Sequence, residues 1–348
     1  MNDTENIRVY RSGTQHCRVL CLGSNPALQY TLIFQKLDIG KVNRSAQQIT
    51  TLGGKGQGFA IATRAYYGDS HNNVVLQPIG GYAGDQILEL QKKEKLDCIS
   101  VMVNSCTRTA TTIIDNSTKE ITELVGTSEP ISEFESKLFV DAAIKLLCCE
   151  QHPKALSICG SFAKGLSINS IVEIVKSKHP ETLLFVDSVD RIENVLELGN
   201  TDILKINVDE IKSLGLRVLD NKDSADSTRN IITGISKLYN IKYIALTNGP
   251  LNAIFYSSDT QEFTEIQIPD ISSIVSTMQS QENIVINPIG CGDTCSGVFL
   301  NLVVDGEKPL DAFIRGLAAA SASCFSLAPN SKFDKKIMEE INLLMKTN

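Results

Sequence analysis

Short apolar runs, spaced by segments with helical periodicity, constrain this chain more than any other feature. Cys17–Leu22, Val74–Ile79, Ala155–Cys159, Leu183–Val186, Ile203–Ile206 and Tyr243–Leu246 are brief and largely hydrophobic. Strands covered on both faces read this way, whereas half-exposed strands alternate apolar and polar residues. Between the runs, Ser132 with Glu135 forms a capping box, followed by Phe134, Leu138 and Phe139 at helical spacing. Ser167 heads a second helix, with Ile168, Ile171, Val172 and Val175 on one face. The alternation predicts an α/β fold: a doubly wound, mainly parallel sheet with helices on both faces.

Two stretches break the rhythm. Thr31–Thr51 and Val101–Val125 are rich in Thr, Val and Ile, lack helical periodicity and include the polar turn Asp115-Asn116-Ser117. They predict a small second sheet, with strands drawn from about 29–51 and 101–126. Residues 1–16 read as a loose tail before a single domain over 17–348. Asp220–Thr228 reads as a polar loop or helix entry, and Asp270–Asn283, with its serines, as a surface excursion.

Composition excludes several classes. No segment approaches the roughly 18–20 uncharged apolar residues of a membrane span; the longest apolar-leaning run, Gly316–Ala328, is short and carries serines. Basic residues number 33 against 40 acidic, for a net charge of −7. They form no cluster, so a nucleic-acid groove is not expected. The ten cysteines include no Cys-x-x-Cys pair, and the four histidines are not spaced to complete a zinc site. They read as free thiols in a reducing compartment. The acidic, non-apolar start Met1–Asn6 is unlike a targeting peptide, so the cytoplasm is the expected location.

The strongest chemical signal is Asn287-Pro288-Ile289-Gly290-Cys291-Gly292-Asp293, between the strand-like Asn283–Ile286 and the helix-like Gly297–Leu302. Two glycines let the backbone aim successive N–H groups at one point, where the following helix adds its positive end. A carboxylate beside such an anion cradle suits a base that takes a proton from an attacking hydroxyl. By itself the motif also reads as a turn with an Asp helix cap.

A second glycine cluster, Gly53-Gly54-Lys55-Gly56-Gln57-Gly58, leads into Phe59–Tyr67. It lacks the Ser or Thr of a phosphate-binding loop after its lysine, and its spacing departs from the dinucleotide fingerprint. A lysine bracketed by glycines suits a small anionic ligand. Asn207 and Glu210 follow the Ile203–Ile206 run; they read as a helix cap or, through Glu210, as a site for hydrated magnesium. Thr247 and Gly249, Gly160 and Ser161, and Arg108 lie at strand ends or in a strand-like run, where ligand contacts and ordinary turns are equally natural.

In order and spacing, these pieces resemble the ribokinase-like (PfkB) carbohydrate kinases over residues 17–345. The matching run is Asn25-Pro26-Ala27, Val42-Asn43-Arg44, Gly53 to Gly56, Thr107-Arg108, Gly160-Ser161, Asp187, Lys205 with Asn207 and Glu210, Thr247 with Gly249, and Gly290 to Asp293. The Asn-Pro-x-Gly-x-Gly-Asp and Val-Asn-Arg forms look like the tagatose-6-phosphate and fructose-1-phosphate kinase branch.

The resemblance implies an ATP-dependent kinase using Mg2+, with Asp293 as base and the N–H groups around Gly290, Cys291 and Gly292 as anion hole. It places Asn207 and Glu210 near metal and phosphate, and Thr247 and Gly249 beside the nucleotide. It assigns Gly54, Lys55, Arg108 and Gly160 to the acceptor, with Arg44 as a further contact to an acceptor phosphate. The small sheet becomes a lid, through which a homodimer would form.

The chain departs from the branch at Ile206 of Lys205-Ile206-Asn207, at Phe162-Ala163 after Gly160-Ser161, and at two acceptor positions: Gln29 replaces an Asp and Gly58 an Asn, and those side chains ordinarily grip sugar hydroxyls. Glycine at 58 is expected to open space beside the acceptor, so Gln29→Asp with Gly58→Asn should restore the ordinary substrates. Three readings stand: a sugar-phosphate kinase; a kinase for an unphosphorylated sugar, nucleoside or other alcohol; and a non-catalytic nucleotide-binding relative.

Overall fold

The computed structural model describes residues 9–12, 17–70, 72–218, 228–271, 274, 286–329 and 331–348. The strands are β1 (Val9–Ser12), β2 (Val19–Leu22), β3 (Ala27–Phe34), β4 (Gln47–Gly53), β5 (Asn73–Ile79), β6 (Asp97–Met102), β7 (Arg108–Asp115), β8 (Ile121–Val125), β9 (Ala155–Cys159), β10 (Leu183–Asp187), β11 (Ile203–Asn207), β12 (Tyr243–Thr247), β13 (Ala253–Ser257), β14 (Glu262–Gln267) and β15 (Lys346–Thr347). The helices are α1 (Lys55–Tyr67), α2 (Gly81–Lys93), α3 (Glu133–Leu147), α4 (Ile168–Lys176), α5 (Glu193–Leu196), α6 (Val208–Val218), α7 (Thr228–Tyr239), α8 (Cys291–Val304), α9 (Pro309–Ser323) and α10 (Lys335–Leu344).

All six apolar runs are strands of one eleven-stranded sheet, ordered β1-β6-β5-β2-β9-β10-β11-β12-β13-β14-β15. From β6 to β12 every neighbouring pair is parallel; β1 and β13 to β15 add antiparallel edges. The chain winds from β2 outward to β5 and β6 on one side and to β9 through β12 on the other. A crevice therefore opens at the carboxyl ends of the central strands, where doubly wound sheets bind ligands.

Strand period two distributes the core. Leu20 and Leu22 face a cluster with Phe139 of α3 and Ile171 of α4. Val19 and Cys21 face the opposite cluster, with Phe59 of α1, Phe299 of α8 and Phe313 of α9. The Ser132 capping box is present in full, and Ser167 caps α4. Among the described residues no helix is long and apolar enough to cross a membrane.

The irregular stretches form a separate four-stranded sheet, β4-β3-β7-β8, in which β3 and β7 pair in parallel. Its boundaries differ from expectation. Val101 and Met102 belong to β6, and the second contribution begins only at Arg108. The N-terminal segment is not wholly a loose tail either, because Val9–Ser12 extends the main sheet against β6. Of Asp220–Thr228 only Thr228, the first residue of α7, is described; Asp270–Asn283 lies almost entirely outside the described residues.

Candidate active site

The crevice is floored by Asp187 and Lys205, two residues of the matching run to which the resemblance assigns no role. Asp187 ends β10, and its carboxylate is nearly fully buried. Its Oδ2 accepts from Lys205 Nζ (3.1 Å) and from Ser296 Oγ (2.6 Å), and its Oδ1 from Lys55 Nζ (3.0 Å). Burial alone would push this carboxyl up; Lys205, then Lys55 and Ser296, more than offset it and hold it below the usual range. A signal was available: Lys205 is a charge inside the otherwise apolar run Ile203–Ile206, and a buried charge needs a partner.

Lys205 also donates to the Gly292 carbonyl (3.0 Å), and Ser296 Oγ, whose hydrogen serves Asp187, lies 3.0 Å from the same oxygen. In a trans peptide the N–H points opposite to the C=O. Anchoring the Gly292 carbonyl therefore aims the Asp293 N–H toward the open end of α8. Gly292 and Asp293 are its second and third residues, and N–H groups so early in a helix have no intrahelical acceptor. Gly290 caps α8 at φ 83°, a left-handed turn natural to glycine. The expected participation of the Cys291 N–H is corrected, because that group closes a turn onto the Pro288 carbonyl at 3.2 Å. Of Asn283–Ile286 only Ile286 is described, and it is not in a strand.

Asp293 stands in this first turn, close against α1. A Cβ at position 58 would lie 2.7 Å from Asp293 Oδ2, 2.8 Å from its Cβ and 2.9 Å from Ser331 Oγ. The expectation that Gly58 opens space for an acceptor is thus overturned: α8 fills it with the carboxyl itself. Burial raises the Asp293 carboxyl to about 7; Lys55 opposes the shift and Asp187 adds to it. A carboxyl near neutrality is suited to exchange a proton at physiological pH.

Lys55, the first residue of α1, is not a free cation. It bridges Asp187 (3.0 Å) and Glu210 Oε1 (3.6 Å), and chiefly the Asp187 charge raises its pKa. Gly160, at φ 76° after β9, leaves room for the Lys55 stem, since a Cβ there would lie 3.1 Å from Lys55 Cβ. Gly54 caps α1. Asn207 and Glu210 form a reciprocal cap: Glu210 N donates to Asn207 Oδ1 (2.8 Å) and Asn207 N to Glu210 Oε2 (3.0 Å). The β11–β12 register sets Thr247 beside Asn207, and Gly249 follows at φ 56°.

Arg108 and Lys55 line one cavity of about 170 Å³ with Asn25, Gly160 and Ser161. Arg108 Nη2 donates to the Asn25 carbonyl (3.0 Å), its buried Nε has no partner, and burial lowers its pKa. Arg44 is exposed. Gln29, in β3, is buried, and its amide nitrogen is engaged by Thr112 Oγ1 (2.9 Å) and the Tyr30 carbonyl (3.3 Å). It knits β3 to β7 rather than offering that donor to a ligand.

The pfkB family carbohydrate kinase model matches residues 18–336. This chain belongs to that family. As a pfkB kinase it is a phosphotransferase that uses ATP and an alcohol acceptor. It is similar to tagatose-6-phosphate kinase of Staphylococcus epidermidis, 25% identical over 94% of this chain and 99% of the relative. Its fold matches phosphofructokinase-2 of Escherichia coli in complex with substrates and products (TM-score 0.77, 20% identity, 94% of this chain and 99% of that one). It also matches ribokinase of Thermotoga maritima (TM-score 0.68, 16% identity, 93% and 99%).

Proposed function

We propose that this pfkB kinase transfers the γ-phosphoryl group of ATP to a hydroxyl of a sugar phosphate, with Asp293 as general base. The observation that carries the reading is a carboxyl raised to about 7 in the open first turn of α8. An acceptor hydroxyl beside Asp293 gives its proton to that carboxylate as its oxygen attacks the γ-phosphorus and the bond to ADP breaks. The N–H groups of Gly292 and Asp293 face the charge that develops on the transferring phosphoryl oxygens. Lys205 acts through the Gly292 carbonyl and Ser296 through Asp187; both are positioning residues.

Arg108 is the better-placed cation for the acceptor's own phosphate, because its Nε is unpaired whereas Lys55 is held by two carboxylates. Lys55 instead couples the Asp187 floor to the Asp293 base. Glu210 fits a magnesium site. Its Oε1 is outside the helix cap and 3.6 Å from Lys55 Nζ, so a magnesium ion bound there, with waters and phosphate oxygens, would take the place of that ion pair. The ion would neutralise nucleotide phosphate charge. The small sheet serves as a lid that keeps water from the phosphoryl group. Leu124 and Val125 of β8 are 54% and 56% exposed, which suits pairing of two lids in a homodimer.

The test is an ADP-release screen over phosphohexoses, free hexoses, pentoses and nucleosides. A preference for phosphorylated acceptors that disappears in Arg108→Ala supports the reading. Equal turnover of unphosphorylated acceptors refutes it. With Gln29 where the branch carries an aspartate, turnover of tagatose 6-phosphate or fructose 1-phosphate is expected to fall below the kcat/KM of about 10⁵ M⁻¹s⁻¹ typical of an efficient enzyme.

A further inference from the structure

Cys291 and Cys324, neither of them in a disulfide, meet at the base of the anion cradle. Cys291 is the first residue of α8 and Cys324 directly follows α9; their Sγ atoms are 3.1 Å apart, and both residues are partly exposed. Ser323 Oγ donates to the Cys291 sulfur at 3.3 Å, and the Asn287 N–H donates to the Cys324 carbonyl at 2.8 Å. The motif that carries Asp293 is thus tied by backbone and side chain to the end of α9.

We infer that Cys291 and Cys324 form a peroxide-oxidisable dithiol whose disulfide disables the phosphoryl-transfer site. Cys324 is taken as the attacking group: its contact with Cys291 lowers its pKa, whereas that contact and burial raise the pKa of Cys291. The Cys324 thiolate attacks hydrogen peroxide, forming an S–O bond as the O–O bond breaks, and a sulfenic acid results. Cys291 sulfur then attacks the Cys324 sulfur, loses its proton, and the sulfenic oxygen leaves as water. Two thiols and one peroxide give one disulfide and two waters.

Closure brings the sulfurs from 3.1 Å to about 2.0 Å. That closure is shared between Cys324 and Cys291, and the part taken by Cys291 strains the first turn of α8 two residues before Asp293. Displacing catalytic groups by about 1 Å costs on the order of 10²-fold in rate. The inhibitory half of the inference rests on the proposed role of Asp293, whereas the cross-link is read by mass alone.

The test treats the whole protein with hydrogen peroxide, maps its peptides and follows ATP-dependent turnover before and after dithiothreitol. A linked peptide pair containing Cys291 and Cys324, two hydrogens lighter than the reduced pair, is expected together with a roughly 10- to 100-fold fall in kcat. Dithiothreitol should reverse both changes, and Cys324→Ser and Cys324→Ala should keep their activity through the treatment. Absence of the linked pair overturns the inference, as does its formation with unchanged kcat. Oxidation confined to the exposed Cys106, Cys148 or Cys149 counts against it equally.

Discussion

Adding a single methyl group at position 58 is expected to cripple turnover while leaving the protein folded. The Cβ of Gly58→Ala would sit 2.7 Å from Asp293 Oδ2 and 2.8 Å from Asp293 Cβ. Carbon atoms rest at about 3.5–4.0 Å, so α1 and α8 must part by roughly 0.7 Å or more, or the carboxyl must swing away. Neither is free, since α8 is fixed from below by Lys205 and Ser296. Overpacking costs about 1–3 kcal/mol, while replacing Gly by Ala in a helix interior returns about 1 kcal/mol. Net destabilisation of about 0–2 kcal/mol leaves most molecules folded. Misplacing Asp293, the proposed base, by nearly 1 Å should cost on the order of 10²-fold in rate. Steady-state kcat and a thermal melt on one preparation separate the two effects. If Gly58→Ala kept kcat within twofold of wild type, the close seat of Asp293 against α1 would have no catalytic meaning.

Four further outcomes follow from the same geometry. The proposed base, Asp293, would act deprotonated, and its carboxyl is raised to about 7, so kcat/KM should fall as pH drops through that value in a pH–rate profile. Lys55 lowers the Asp293 pKa, so in Lys55→Met the acid limb should move to higher pH; an unchanged or lowered limb contradicts the coupling. Lys205→Met leaves Asp187 buried with one lysine fewer and should cost about 3–5 kcal/mol in denaturant unfolding. Arg108→Ala should raise KM for a phosphorylated acceptor about 10-fold or more, as expected for a lost charged hydrogen bond, with KM for ATP nearly unchanged.

Much of the architecture was legible because buried parallel strands announce themselves locally. Ile203–Ile206 or Ala155–Cys159 needs no distant partner to be recognised as a strand. The four-stranded sheet was legible only as a break in rhythm, and its edge was misplaced. Val101 and Met102 are as β-prone as the residues after Arg108, and their pairing with β5, and of Val101 with β1, assigns them to the main sheet.

Within the site, Asp293 and Gly290 were readable from one short motif. The Asp187–Lys205–Ser296 floor joins residues far apart in the chain, and only the lysine inside an apolar run hinted at it. Gly58 was misread for the same reason. A missing side chain looks like space until the element that fills it, α8, is known.

The central claim, that Asp293 is the base of a phosphoryl transfer, is tested most directly by Asp293→Asn. Its kcat and its ATP dissociation constant should be measured on the same protein. Removing a general base costs about 10²- to 10⁴-fold, and nucleotide binding rests on other groups. A fall in kcat of that size with ATP affinity within a few-fold of wild type is predicted. Retention of more than half the wild-type kcat would contradict it.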